Sequence, residues 1–102
     1  MKLDIKERTP HPRGEVIEIH ADGKTVRVLL TFHTKERIHK WRLTESGVLR
    51  TLLDPEEVLK GHRDRFIAHR RQGRHVIRAV YEYENRTAVL ITVYFPLLKR
   101  YF

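Results

Sequence analysis

The chain has no cysteine, one methionine, one tryptophan, one asparagine and one glutamine among its 102 residues. The missing cysteine excludes disulfides, thiolate chemistry and cysteine-ligated zinc, and fits a reducing compartment. Scarcity of thermolabile side chains hints at a thermophilic source. No apolar run approaches the roughly 20 residues that span a bilayer, so no membrane partner is expected. The start, MKLDIKERT, lacks an apolar signal-peptide core, which makes cytoplasmic residence the expectation. Gly-rich phosphate loops, Gly-x-Ser-x-Gly and His-Glu-x-x-His are absent too, so no nucleotide cradle, serine elbow or zincin helix is expected.

What is abundant is positive charge. Twenty-one Lys+Arg against 13 Asp+Glu give a net charge of +8 and a pI near 10.2. Such a surface attracts polyanions, of which nucleic acid is the commonest in a cell, and an acidic protein fits equally well. Arginine outnumbers lysine 14 to 7, which favours bidentate contacts to phosphate or carboxylate.

The length suits one domain with one modest core. Residues 1–14 are mostly polar, and Thr9-Pro10-His11-Pro12 favours an extended path; they read as an arm, with Leu3 and Ile5 able to add an edge strand. Residues 15–102 make the domain. EVIEIH and TVRVLLTF flank Asp22-Gly23, a two-residue turn signal. That turn sets Ile19 opposite Val26, Ile17 opposite Val28 and Glu18 opposite Arg27. His33 to Leu43 has helical spacing, with Ile38 and Trp41 on one side. Thr44 can cap a second helix from Glu45 to Leu53, whose apolar face is Val48, Leu49, Leu52 and Leu53. Asp54-Pro55-Glu56-Glu57 reads either as one more helical start or as a break. Phe66-Ile67-Ala68 suggests a short strand, and Arg71-Gln72-Gly73-Arg74 a turn.

The most β-branched stretch is Arg74 to Phe95, RHVIRAVYEYENRTAVLITVYF. Glu84-Asn85-Arg86 divides it into two antiparallel strands. In the first, Val76, Arg78, Val80 and Glu82 point one way and His75, Ile77, Ala79, Tyr81 and Tyr83 the other. Strict alternation in the second places Val89, Ile91, Val93 and Phe95 together, opposite Leu90, Thr92 and Tyr94. Both faces are partly apolar, which predicts a place inside a sheet. Tyr101 and Phe102 at the chain end suggest that the tail docks on the body or on a partner. The expected order is β-β-α-α-β-β-β, an α+β plan.

Arg78 interrupts an apolar row, so an anion or open water must lie beside it. A salt bridge to a glutamate and a phosphate-binding role both satisfy that requirement. The segment from Lys60 to Arg78 adds Arg63, Arg65, Arg70, Arg71 and Arg74, which with Lys40 form the candidate nucleic-acid surface; a solvated basic loop is the plain alternative. His33 and Arg37 lie one helical turn apart and could face one phosphate, or could cap the helix and pair with an acid. His33 and His39 are turned about 240° from each other on a helix, so they cannot share an ion. No carboxylate cluster joins the histidines, and no metal or other cofactor is expected. A metal-free ribonuclease needs a base for the 2′-hydroxyl, an acid for the leaving 5′-oxygen and cations for the phosphorane charge, all of which histidine, tyrosine, lysine and arginine can supply.

His33-Thr-Lys-Glu-Arg37-Ile-His-Lys-Trp-Arg-Leu-Thr-Glu-Ser-Gly-Val48, then Leu-Leu-Asp-Pro55, Arg78-Ala-Val-Tyr81 and Ile91-Thr-Val-Tyr94, resembles a family of small uncharacterised proteins whose members look like the RelE/ParE toxin superfamily. The similarity covers about Phe32 to Phe95. Trp41, Arg42 and Ile38 depart from it, standing where the family usually has arginine, glycine and methionine. The resemblance implies a RelE-like fold, a curved antiparallel sheet packed on two helices. It implies toxin–antitoxin biology, in which RelE-type members cut mRNA on the ribosome and ParE-type members poison gyrase, with an acidic antitoxin as partner. His33, Arg37, Arg78, Thr92 and Tyr94 match its recurrent polar positions, and a RelE-like ribonuclease would use Arg78 and Arg37 to hold the phosphate, His33 or His75 to move protons and Tyr94 to orient the substrate. A non-catalytic basic module that binds nucleic acid or an acidic protein is the alternative.

Overall fold

The computed structural model describes residues 1–100; the aromatic pair Tyr101 and Phe102 lies outside the described residues. Strands β1 (Asp4–His11), β2 (Gly14–Ala21) and β3 (Lys24–Thr31) are followed by helices α1 (Phe32–Lys40) and α2 (Glu45–Leu53). Strands β4 (Glu57–Lys60), β5 (Phe66–Gln72), β6 (His75–Glu84) and β7 (Thr87–Tyr94) complete one seven-stranded sheet in the order β1-β2-β3-β7-β6-β5-β4. Each run, β1 to β3 and β4 to β7, is an antiparallel meander. The two are joined by β3 and β7, which pair in parallel. The helices carry the chain from the end of β3 to the far edge, and the strands return to β7. The fold is α+β with a mixed sheet, which corrects the all-antiparallel expectation. It also adds two strands to the expected order.

The first hairpin has the register its turn dictates: Ile19 lies opposite Val26, Ile17 opposite Val28 and Glu18 opposite Arg27. Asp22 and Gly23 both take positive φ, 50° and 74°, as a two-residue hairpin turn requires. Thr44 caps α2 by accepting the Gly47 amide at 2.9 Å. Helix α1 packs on β7 and β3, and α2 on β6 and β5. Between helices and sheet lies the core, with Val48, Leu49, Ile77, Ala79, Leu90 and Val93 among its buried members.

Three readings are decided by the structure. Of the loose arm and the edge strand, the N-terminal residues form the edge strand β1, paired with β2 along its length and interrupted by a bulge between Ile5 and Glu7. Asp54-Pro55-Glu56-Glu57 opens no helix. Val58 and Leu59 instead pair with Ala68 and Ile67 in β4, and the Glu56 amide donates to the His69 carbonyl at 2.9 Å. The free edge of β5 outweighs the local capping signal, because an unpaired backbone edge is satisfied there by pairing. The third is in β7. Val80 faces Thr92 while Tyr81 faces Leu90, so Ile91 is an extra, bulged residue. Strict alternation ends there. Leu90 and Val93 both join the core, and Thr92 and Tyr94 move to the face of Arg78. Among the described residues no helix is long and apolar enough to cross a membrane.

Candidate functional site

The bulge creates a polar row on the outer face of the sheet, away from the helices. Glu57 on β4 lies opposite His69 on β5, His69 opposite Arg78 on β6, and Arg78 opposite Tyr94 on β7. The row is bonded. Arg78 Nη1 lies 2.9 Å from His69 Nε2, and His69 Nδ1 lies 3.0 Å from Glu57 Oε1. A guanidinium can only donate, so His69 Nε2 is the acceptor and its proton sits on Nδ1, which donates to the Glu57 carboxylate. His69 is 1% exposed. Arg78 is half-buried, and Tyr94 is exposed.

Thr92 lies on the same face, diagonal to Arg78 at a distance of about 7–8 Å in an antiparallel pair. Its Oγ1 is 3.0 Å from His33 Nε2. His33 reaches it because α1 begins where the parallel ladder of β3 runs out. There the Leu90 carbonyl accepts the Thr31 and Thr34 hydroxyls, each at 2.8 Å. Thr31 is also the N-cap of α1, accepting the Thr34 amide at 3.2 Å. The first turn is thereby tied to β7, and the exposed His33 ring lies beside Thr92. Arg37 sits one turn further on the same side of α1.

His33, Arg37, Arg78, Thr92 and Tyr94, far apart in sequence, therefore gather on neighbouring elements. His75 does not join them. It lies on the helix-side row of β6 and stacks on Phe95 with ring centroids 4.5 Å apart. Glu57 and His69 were not anticipated. His69 was legible in principle: a two-residue turn at Gly73-Arg74 pairs Gln72 with His75, and the same register puts His69 opposite Arg78.

The basic segment is not one open surface. Arg70 Nη1 donates to the Asp54 carbonyl at 2.6 Å and lies 3.4 Å from its carboxylate. Arg71 binds Glu56 through both its amide and its Nε, at 2.6 and 2.9 Å. These bonds hold the Glu56 carboxyl below its ordinary value. Arg65 Nε lies 3.9 Å from Glu82. Arg63 and Arg74 are exposed in the connections flanking β5, and Lys40 sits 5.1 Å above the Trp41 ring. The outer face continues toward β2 as a depression of ≈ 300 Å³ with Arg13, Arg27 and Val89 in its lining. Among the described residues no three His, Asp or Glu side chains converge as metal ligands.

The family described as Domain of unknown function (DUF4258) matches residues 30–95. The chain belongs to the DUF4258 family. All of the polar row, the His33–Thr92 pair and Arg37 fall inside the DUF4258 span, whereas β1, β2 and most of β3 precede it. No curated protein and no solved structure matches the chain.

Proposed function

We propose that this DUF4258 protein is a RelE/ParE-like, toxin-type protein that cleaves RNA without a metal ion. The observation that supports this reading is that Arg78 and Tyr94 lie side by side on the outer face of a basic protein, with Thr92 on the same face bonded to His33 of the neighbouring helix, one turn from Arg37. In such a cleavage the 2′-oxygen attacks the adjacent phosphorus, a 2′,3′-cyclic phosphate forms and the 5′-oxygen leaves. His33 takes the 2′-hydroxyl proton, with Thr92 holding its ring. Arg78 and Arg37 face the charge that builds on the phosphorane oxygens. Tyr94 orients the substrate and is the O–H donor nearest in the row for the departing oxygen. Ribosome-bound mRNA and an acidic antitoxin, in a cytoplasmic setting, are the partners that accompany this reading.

One observation favours the non-catalytic alternative. Of the three histidines His33, His69 and His75, only His33 is exposed, so these three supply no exposed pair for acid and base. A basic binding module needs no such pair. Cleavage of free RNA and of mRNA on programmed ribosomes, with EDTA present, separates the two. The expected result is cleavage that falls about a hundredfold or more in folded His33→Ala and is lost in folded Arg78→Ala. No cleavage by the native protein overturns the nuclease reading. RNA binding that weakens steeply with salt would then identify the binding module.

A further inference from the structure

His69 has no part in the chemistry above, yet it is almost completely buried between two charged partners on neighbouring strands. Its neighbours on β5 are ordinary sheet residues: Ala68 is buried in the core, and Ile67 pairs with Val80. A leucine or valine would fill the His69 position without the desolvation that a buried imidazole costs. The bond directions explain what the imidazole does. Glu57 fixes the proton on Nδ1, which leaves the Nε2 lone pair pointing along the cross-strand row at Arg78. A neutral acceptor holds a guanidinium in place without cancelling its charge, as a carboxylate in the same position would. Fixing the tautomer through a carboxylate is how histidines are oriented around other functional groups. The held guanidinium lies beside the exposed Tyr94 and diagonal to Thr92, whose hydroxyl contacts His33. It carries five N–H donors in a planar fork that suits phosphate oxygens.

We infer that His69, with its tautomer set by Glu57, is a positioning residue that holds Arg78 to receive a phosphodiester oxygen on the outer face. The inference rests on the reading of that face as an RNA site, and it names the contacted group as the backbone phosphate, which carries no base identity.

The probe is a fluorescent RNA oligonucleotide with every 2′-oxygen methylated, so that it binds without being cut. Its affinity is measured by anisotropy in EDTA, for the full native chain and for His69→Leu, His69→Gln and Arg78→Ala. Glutamine keeps an acceptor near the Nε2 position; leucine keeps volume and loses the acceptor. Expected are a loss of about tenfold for Leu and Arg78→Ala, and near-native binding for Gln. The Arg78 Nε–Hε resonance should shift on adding RNA in the native and Gln proteins and stay unmoved in the Leu protein. If Leu does not fold, His69→Asn replaces it, because asparagine keeps the Glu57 contact and is too short to reach Arg78. Native binding by folded His69→Leu or His69→Asn overturns the positioning role while the RNA reading stands. Unchanged binding by Arg78→Ala, or no binding by the native chain, overturns both.

Discussion

Replacing Thr31 and Thr34 with valine, singly and together, tests how the start of α1 is held over β7. Thr34 is fully buried, as is Leu90, whose carbonyl both hydroxyls reach at 2.8 Å. Valine exchanges a hydroxyl for a methyl of similar size, so the effect is polar rather than a cavity. Thr34→Val removes the donation to the Leu90 carbonyl and the 2.9 Å contact with the Thr31 hydroxyl, and leaves Thr31 on the carbonyl, a cost of about 1 kcal/mol. Thr31→Val loses a comparable bond and also the cap on the Thr34 amide, for about 2 kcal/mol in total. The double variant leaves the Leu90 carbonyl without either hydroxyl. Desolvating it adds about 1–2 kcal/mol, so the pair costs about 4–5 kcal/mol, more than the sum of its parts. At about 4–8 °C per kcal/mol in a domain of this size, Thr34→Val lowers Tm by about 6 °C and the double by about 25 °C. Urea denaturation of all four proteins closes the cycle. A double variant that is additive to within about 0.5 kcal/mol would refute the shared-carbonyl argument.

Two further outcomes follow from particular backbone and charge geometry. Asn85 and Arg86 turn the β6–β7 hairpin with φ of 48° and 65°, and a side chain in that region is strained, so Arg86→Gly should raise stability by about 0.5 kcal/mol after the extra unfolded-state entropy of glycine. A lower Tm than native would contradict it. Glu56 is held below its ordinary value of 4.5 by the Arg71 amide and then by its guanidinium. A depressed carboxyl contributes stability that is fully present above the unfolded value and lost as pH falls through the lower folded one. The stability gap between native and Glu56→Gln should therefore be flat above pH 4.5 and close as pH drops below it; a gap that widens on acidification would show the wrong sign.

How much of the molecule could be read in advance depends on how local the deciding force is. The Asp22-Gly23 turn dictates its own hairpin register, because only one pairing suits two positive-φ residues between alternating strands. Thr44 announces α2 in the same local way. Arg78 was conspicuous because a charge in a β-branched row demands a partner wherever the strand lies. His33 and Arg37 were linked by helical periodicity alone. The readings left open or missed share one cause. Asp54-Pro55-Glu56-Glu57 could be read as a helix start or as a break, and the open edge of β5 decided for the break. Strand alternation in β7 failed at Ile91, where a bulge lets both Leu90 and Val93 reach the core. His75 stands apart from these, because strand alternation already puts it on the face opposite Arg78 and its exclusion from the site was legible in the sequence.

Composition, the two-residue turns and the helix caps lie in the order of residues along the chain, because each acts over a few neighbouring residues. These set the α+β character, the hairpins, the helix pair and the list of polar residues worth watching. Tertiary structure alone decided the parallel meeting of β3 and β7, the capture of Glu57 into β4 and the bulge that turns Thr92 and Tyr94 toward Arg78. Each of those depends on backbone donors and acceptors, or on core space, supplied by a strand distant in sequence. The Glu57–His69–Arg78–Tyr94 row exists only when four strands come into register, and no single stretch of the chain contains it.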